Sequence, residues 1–496
     1  MYVQFLITST SPGCFATIAK DVLKIYLQRM LRKVPRATEE SAASQSERVA
    51  CLAEERKEQH ATSRKKAMVN KLMLPLSILL VLALLSPFAY VVITRLGIGS
   101  LFPVQSDFIN SIPILPSNSI EVVAELPMPP GNIAVSSSGR IFFNFHPEYG
   151  PGPSSIKVAE LKSKTSYSGF PNSAFQDRIM TCLAMRVDRQ DRLWLLDHAS
   201  HGMKGSPSLY AFDLKRGDTL VHEYAFPASV AGFGSMLNDF QVDPSGLFIY
   251  IADTSIVSST PALIVYSVRE QYGYRILSSH ASMFGQSTFL DVSGTLLKYG
   301  PMGLTINVDS IALDRTGSKL YYGALTGDKL YSISTSHLLH YLRAANESHT
   351  DQLILDEILP GHVNEVLATK PVTDGITTDG AGNIWLTALE HSAIAVAVPV
   401  KVAAPTHADG ATFATQQERF RVVKVVQNKA LLRWPDGFSF GPDGLYITNS
   451  ALHVKLGGGK FENFAPFHIL RLPTKAIQQA LEGERDAAFV LPSAGH

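Results

Sequence analysis

Four side chains with oxygen donors stand at one position of a repeated pattern: Asn238, Asp309, Asp374 and Asp436. Each opens a stretch in which a short alternating strand leads through a polar turn to a second strand carrying an aromatic residue. The stretches are NDFQVDPSGLFIYIAD, DSIALDRTGSKLYYGAL, DGITTDGAGNIWLTAL and DGFSFGPDGLYITNS. Carboxylates and carboxamides gathered in one place suit a hard divalent cation such as calcium, with Asn238, Asp309 and Asp374 as its ligands, or a small molecule bearing an ammonium or several hydroxyls. The same residues have a plainer use, because Asp or Asn ahead of Gly caps local backbone donors where a strand begins after a turn. The two readings separate on whether the fold brings these positions to one face.

The elements that would do so are legible. Two further stretches, GNIAVSSSGRIFFNF from Gly131 and LAMRVDRQDRLWLLD from Leu183, share the pattern. In all six the turn residue comes eight positions after the first: Gly139, Asp191, Gly246, Gly317, Gly382 and Gly444. These are hairpin signals, and their recurrence about every 50 to 70 residues is the spacing of four-stranded propeller blades with variable loops. Runs such as SLYAFDL, ALIVYSV, KLYSIS and AIAVAV supply third strands. The expectation is an all-β, six-bladed β-propeller over residues 121–472. Its inner strands line a central channel, and the residue ahead of each sits at one channel mouth. Phe142, Trp194, Tyr250, Tyr321, Trp385 and Tyr446 recur in the second strands as packing between blades. SHLLHYLRAA and KAIQQALEGERDAA read as short helices between or after blades, the second opening a C-terminal helix and tail at 473–496.

His146, His198, His201 and His453 follow second strands, where a neutral imidazole binds metal or shuttles protons, although solvated loop histidines are common. No GxSxG elbow, HExxH, Walker loop or dinucleotide fingerprint occurs, so covalent catalysis lacks a motif. Cys14, Cys51 and Cys182 form no metal-ligand spacing and no disulfide framework. With 44 Lys and Arg against 43 Asp and Glu, the net charge of +1 gives no electrostatic case for a nucleic-acid partner.

Ahead of the repeats, residues 1–71 form a polar arm rich in Lys, Arg, Glu, Gln and Ser, expected in the cytosol. Residues 72–94, LMLPLSILLVLALLSPFAYVVIT, carry no charge and are long enough for a single transmembrane helix. Arg64, Lys65, Lys66 and Lys71 precede this run and only Arg95 closely follows it. The expected topology is therefore a signal anchor that leaves the propeller extracellular or lumenal. Translation from Met68 or Met73 would instead make the run a cleaved signal peptide, with Ala89 near the cut, and the propeller secreted. Residues 95–120 read as an extended linker, and Asn346 begins the sequon NES, usable in a lumenal domain.

MRVDRQDRLWLLDHA, PSLYAFDL, NDFQVDPSGLFIYIADTS, DSIALDRTGSKLYYGAL and WPDGFSFGPDGLYITNSALH together resemble the yellow and major royal jelly protein family over about Val122 to Leu472. The resemblance implies a six-bladed propeller and a secreted setting. It further implies either small amines bound in the central channel or dopachrome conversion. A more distant likeness to gluconolactonase and regucalcin propellers implies a divalent-metal site in which Asn238, Asp309 and Asp374 match ligand positions, while the family's glutamate falls at Gly131. Three functions follow as expectations. The first is an aminergic or polar ligand held by Asn238, Asp309, Asp374 and Asp436, the second a metal-dependent lactonase-like hydrolase, the third a scaffold whose rim loops bind protein.

Overall fold

The eight-residue ruler is one strand plus one turn. In five of the six repeats the turn residue has positive φ: Gly139 (83°), Asp191 (65°), Gly246 (73°), Gly317 (78°) and Gly382 (83°). Glycine adopts that conformation without strain, which explains its recurrence. The sixth, Gly444, instead begins the second strand and pairs with Gly441 across a two-residue turn. The turn carboxylates also hold the tryptophans. Asp188 accepts from the Gln190 and Arg192 amides and from the Trp194 indole at 2.7 Å. Asp379 does the same for Ala381, Asn383 and Trp385.

The computed structural model describes residues 111–299, 302–348, 359–400 and 419–485. All belong to the second of two units into which the chain divides, Phe88–His496. The polar arm and the apolar run at 72–94 lie outside the described residues; among the described residues no helix is long and apolar enough to cross a membrane.

Six four-stranded antiparallel sheets make six blades. Their inner strands are Pro130–Val135, Cys182–Val187, Leu237–Val242, Val308–Leu313, Ile376–Thr378 and Pro435–Gly441. Each packs against the next, and the sixth packs against the first, so the sheets close into a ring. The sixth blade takes its outermost strand, Glu121–Leu126, from the start of the domain, where it pairs with Phe467–Pro473. Just upstream, the Ile114 and Leu115 amides donate to Lys424 and Val425 at 3.0 and 2.8 Å, on the outer strand of blade 5.

Every second-strand aromatic named above packs into the interface with the following blade. Trp194 lies among Phe240, Ile249 and Ile251, Trp385 among Phe438 and Leu445, and Tyr446 among Ile133 and Phe143. Alternation along the strands produces this, since every second residue faces a neighbouring sheet.

Two elements depart from the expected pattern. The helix Thr335–Ser348 sits inside blade 4, between its third and fourth strands, rather than between blades. A small three-stranded sheet, Leu290–Val292, Thr295–Tyr299 and Met302–Gly303, is inserted between the last strand of blade 3 and the first of blade 4.

Candidate functional site

The shared first position of the repeats is a β-bulge. Pairing of the first two strands skips Leu183 in blade 2, Asn238 in blade 3 and Asp309 in blade 4. It skips Gly131 with Asn132 in blade 1 and Asp436 with Gly437 in blade 6. A bulge leaves its extra residue unpaired and re-aims the side chain, here where each inner strand starts. In blade 5 the strand starts later and the place is held by hydrogen bonds. The Asp374 amide donates to Thr387 Oγ1 at 2.8 Å and the Thr387 amide to the Gly375 carbonyl at 3.1 Å. Gly375 is there for close approach, since a Cβ on it would meet the Asp436 carbonyl oxygen at 1.9 Å. In the Asp-Gly pair, therefore, the glycine seats one blade against the next, and the aspartate is free for the mouth.

The ring brings together Asp309, Asp374 and Asp436, with Asp239 as the fourth acid. Asn238 is buried on the same bulge, but the carboxylate that joins the cluster from blade 3 is its neighbour. Burial raises the Asp309 carboxyl well above the usual range, and the charges of Asp374, Asp436 and Asp239 add to this. Asp309 and Asp374 are hydrogen-bonded to each other, and that bond favours the proton on Asp309 and the charge on Asp374. Burial lifts Asp374 itself to about 6, opposed by the Trp434 indole, which donates to Oδ2 at 2.6 Å, and by the Asp309 hydroxyl. Asp436 is raised by burial and then by Asp374, and His146 Nε2 lies 3.9 Å from its Oδ2. Asp239 is raised by burial to about 6 against the pull of Arg186, whose Nη2 donates to it at 2.5 Å. Arg186 Nη1 also donates to Asn132 Oδ1 at 2.7 Å, tying blade 2 to blades 1 and 3.

Neutral histidines flank the acids. Burial lowers His146 to about 4 and His198 to about 3. The His146 Nδ1 accepts from the Glu148 amide at 3.2 Å, leaving Nε2 toward Asp436. His198 accepts from the His201 amide at 3.0 Å, and the two rings lie 4.9 Å apart. His453, brought by burial to about 4, stacks parallel to Trp434 at 6.4 Å. The inserted sheet roofs one side of the mouth: Leu290, Val292 and Leu297 pack with Leu389 and Trp434, fixing the indole over Asp374.

The described residues show no assembled metal site. A calcium ion takes six to eight oxygens at about 2.3–2.6 Å. Among the described residues no three His, Cys, Asp or Glu side chains are grouped to hold an ion. Asp239 is paired with Arg186, and one oxygen of Asp374 accepts from the Trp434 indole. Of the expected set Asn238, Asp309 and Asp374, the two carboxyls are hydrogen-bonded to each other. That pair, with Asp436, offers concentrated negative potential in a desolvated place, with acid and base forms side by side.

Asp239, Arg186, Asn132 and Trp434 were not singled out from the sequence. Asp239 directly follows a ruler position, and only the bulge seen in the strand pairing brings it to the mouth. Trp434 precedes its repeat by two positions, outside the ruler.

Among solved structures the chain is similar to a gluconolactonase from Xanthomonas campestris at 11% identity, covering 67% of this chain and 86% of that one, with a TM-score of 0.39. It is also similar to regucalcin, a calcium-binding protein from Agrobacterium tumefaciens, at 13% identity, covering 68% and 87%, with a TM-score of 0.37. No curated protein matches the chain. Residues 180–438, which carry all four clustered acids, match the family model of the major royal jelly protein, and the chain belongs to that family.

Proposed function

We propose that the channel mouth binds a small ligand through a protonated amine, with Asp374, Asp309 and Asp436 as the anionic partners and the Trp434 ring beside them. The observation that carries this reading is the convergence of these acids with Asp239 in a buried place where, among the described residues, Arg186 is the cation in an ion pair with one of them. An ammonium entering there relieves the repulsion that now forces protons onto the acids, and gains most where water is excluded. The Asp309–Asp374 pair also suits proton transfer on such a ligand, the class of step that dopachrome conversion requires. Family membership is consistent with both. Upstream, we read the uncharged run at 72–94 as the anchor that keeps the propeller on the extracellular or lumenal side; glycosylation at Asn346 in cells would test that side.

The test is calorimetric titration of the purified full-length protein with a panel of biogenic amines and catechols, and separately with calcium. Amine binding without metal, weakened on the order of tenfold to a hundredfold in Asp374→Asn, is the expected result. Calcium binding lost in the same variant would replace this reading with the metal-dependent hydrolase. Silence in both arms would favour the scaffold.

A further inference from the structure

The acid cluster has a basic neighbour that amine binding does not use. Lys370 is 1% exposed and begins the segment Lys370–Thr373, buried throughout, that delivers Asp374 to the mouth. Its backbone is fixed, the amide donating to the Asp328 carbonyl at 2.6 Å. The side chain runs against Gly323 of blade 4, where an added Cβ would come within 3.3 Å of the lysine Cε. Gly323 pairs with Ser310, the residue after the Asp309 bulge. The lysine methylenes therefore fill the space that a side chain at 323 would have taken, and the amine lies near enough to Asp309 to interact with it electrostatically.

The amine is poorly satisfied there. An ammonium has three donors, and the hydrogen bond found for this one is to the Pro371 carbonyl at a long 3.4 Å. The charges facing it are Asp328, on the turn after the second strand of blade 4, and Asp309, on the inner strand, and both attract it. Burial outweighs them and lowers the lysine to about 7. Burial thus favours the uncharged amine, the form that attacks carbonyl carbon.

We propose that Lys370 is a nucleophile that captures an aldehyde or ketone ligand at the channel mouth as an imine. The Nζ lone pair forms the bond to the carbonyl carbon while the C=O π pair moves to oxygen, and one N–H proton transfers to that oxygen to give a carbinolamine. The hydroxyl then leaves as water together with the second nitrogen proton, so that amine plus carbonyl becomes imine plus water with no other reactant. This activity is separate from amine binding, because the acids hold charge whereas the lysine makes a bond.

Reductive trapping of the full-length protein tests it. The protein is incubated with benzaldehyde, and in parallel with formaldehyde as a probe small enough for a narrow mouth, in the presence of cyanoborohydride, and modified peptides are mapped by mass spectrometry. Lys164, 57% exposed at its side chain, is the internal reference. Lys370 is expected to be modified at least about tenfold faster than Lys164 at pH 7, with the advantage shrinking as pH approaches 10 and ordinary lysines lose their protons. Modification of Lys370 no faster than Lys164 with either aldehyde would overturn the proposal. The comparison is made within the unaltered protein, so it does not depend on a variant folding. Amine titration of the same preparation shows separately whether the acid site binds, so failure of one reading is distinguishable from failure of the other.

Discussion

At the scale of single residues the site is governed by the cost of burying like charges. Asp309 and Asp374 share a proton because two desolvated carboxylates in contact cannot both ionise. The sign for stability follows. A carboxyl whose folded pKa is raised binds its proton more tightly when folded, so its contribution is full below the unfolded value and is lost as pH rises through the folded value, here from about 4 to about 6 for Asp374. Asp309→Asn, which keeps the shape and removes the ionisable group, should therefore stabilise the fold at pH 8 by on the order of 1–3 kcal/mol, seen as a higher Tm, and change it little at pH 4. Thermal melts at the two pH values check this. Ligand affinity has the opposite sign, since an ammonium binds the ionised form and is released as pH falls through 6. Trp434→Phe deletes the indole donor that opposes protonation of Asp374. The pH midpoint of amine affinity should then move upward by about one unit, read from calorimetry across pH 5 to 8.

At the scale of elements, the hairpins were plain in the sequence because one physical requirement, a turn residue at positive φ, repeats at a fixed distance from the strand start. Inter-blade aromatics were plain for a related reason, since alternation fixes which residues face the next sheet. The bulges were not legible. They are a property of pairing, and a skipped residue leaves no mark in the pattern of one strand. That is why Asn238 draws attention while Asp239 carries the charge, and why Arg186, which bridges Asp239 and Asn132, is not read from the pattern. The inserted sheet was missed because its strands are three, five and two residues long, too short for periodicity to register. Its role rests on the apolar cluster with Trp434, which gives a third prediction. Leu297→Ala removes roughly 2–4 kcal/mol of buried contact from an element that belongs to no blade. Hydrogen exchange should accelerate across 290–299 and at Leu452–Leu456, which packs on it, while the blade strands keep their protection. Equal acceleration in the blades would mean that the roof is part of the cooperative core.

At the scale of the whole molecule, a ring of blades has one seam. It lies in blade 6, where Glu121–Leu126 from one end of the domain pairs with Phe467–Pro473 from the other. Ala124 and Leu126 are buried there against Phe467 and Ile469, so the clasp holds by apolar contact as well as by its ladder. The ion pair of Arg471 with Glu121 is partly exposed and adds little. Acids drawn from blades 3 to 6 meet only while the ring is shut, so the seam and the site are coupled through geometry, although Glu121–Leu126 lies at the edge of blade 6 opposite its inner strand. A chain that begins at Pro130 keeps every clustered acid and all six inner strands but leaves the edge of Phe467–Pro473 unpaired. It should melt at lower temperature and associate through that bare edge. A synthetic peptide covering 113–128 should restore the melting temperature and, with it, the amine affinity, because it supplies the missing strand and the segment that pairs with blade 5. Melting and amine affinity measured with increasing peptide should rise together with one midpoint. Recovery of stability without recovery of binding would separate the clasp from the site.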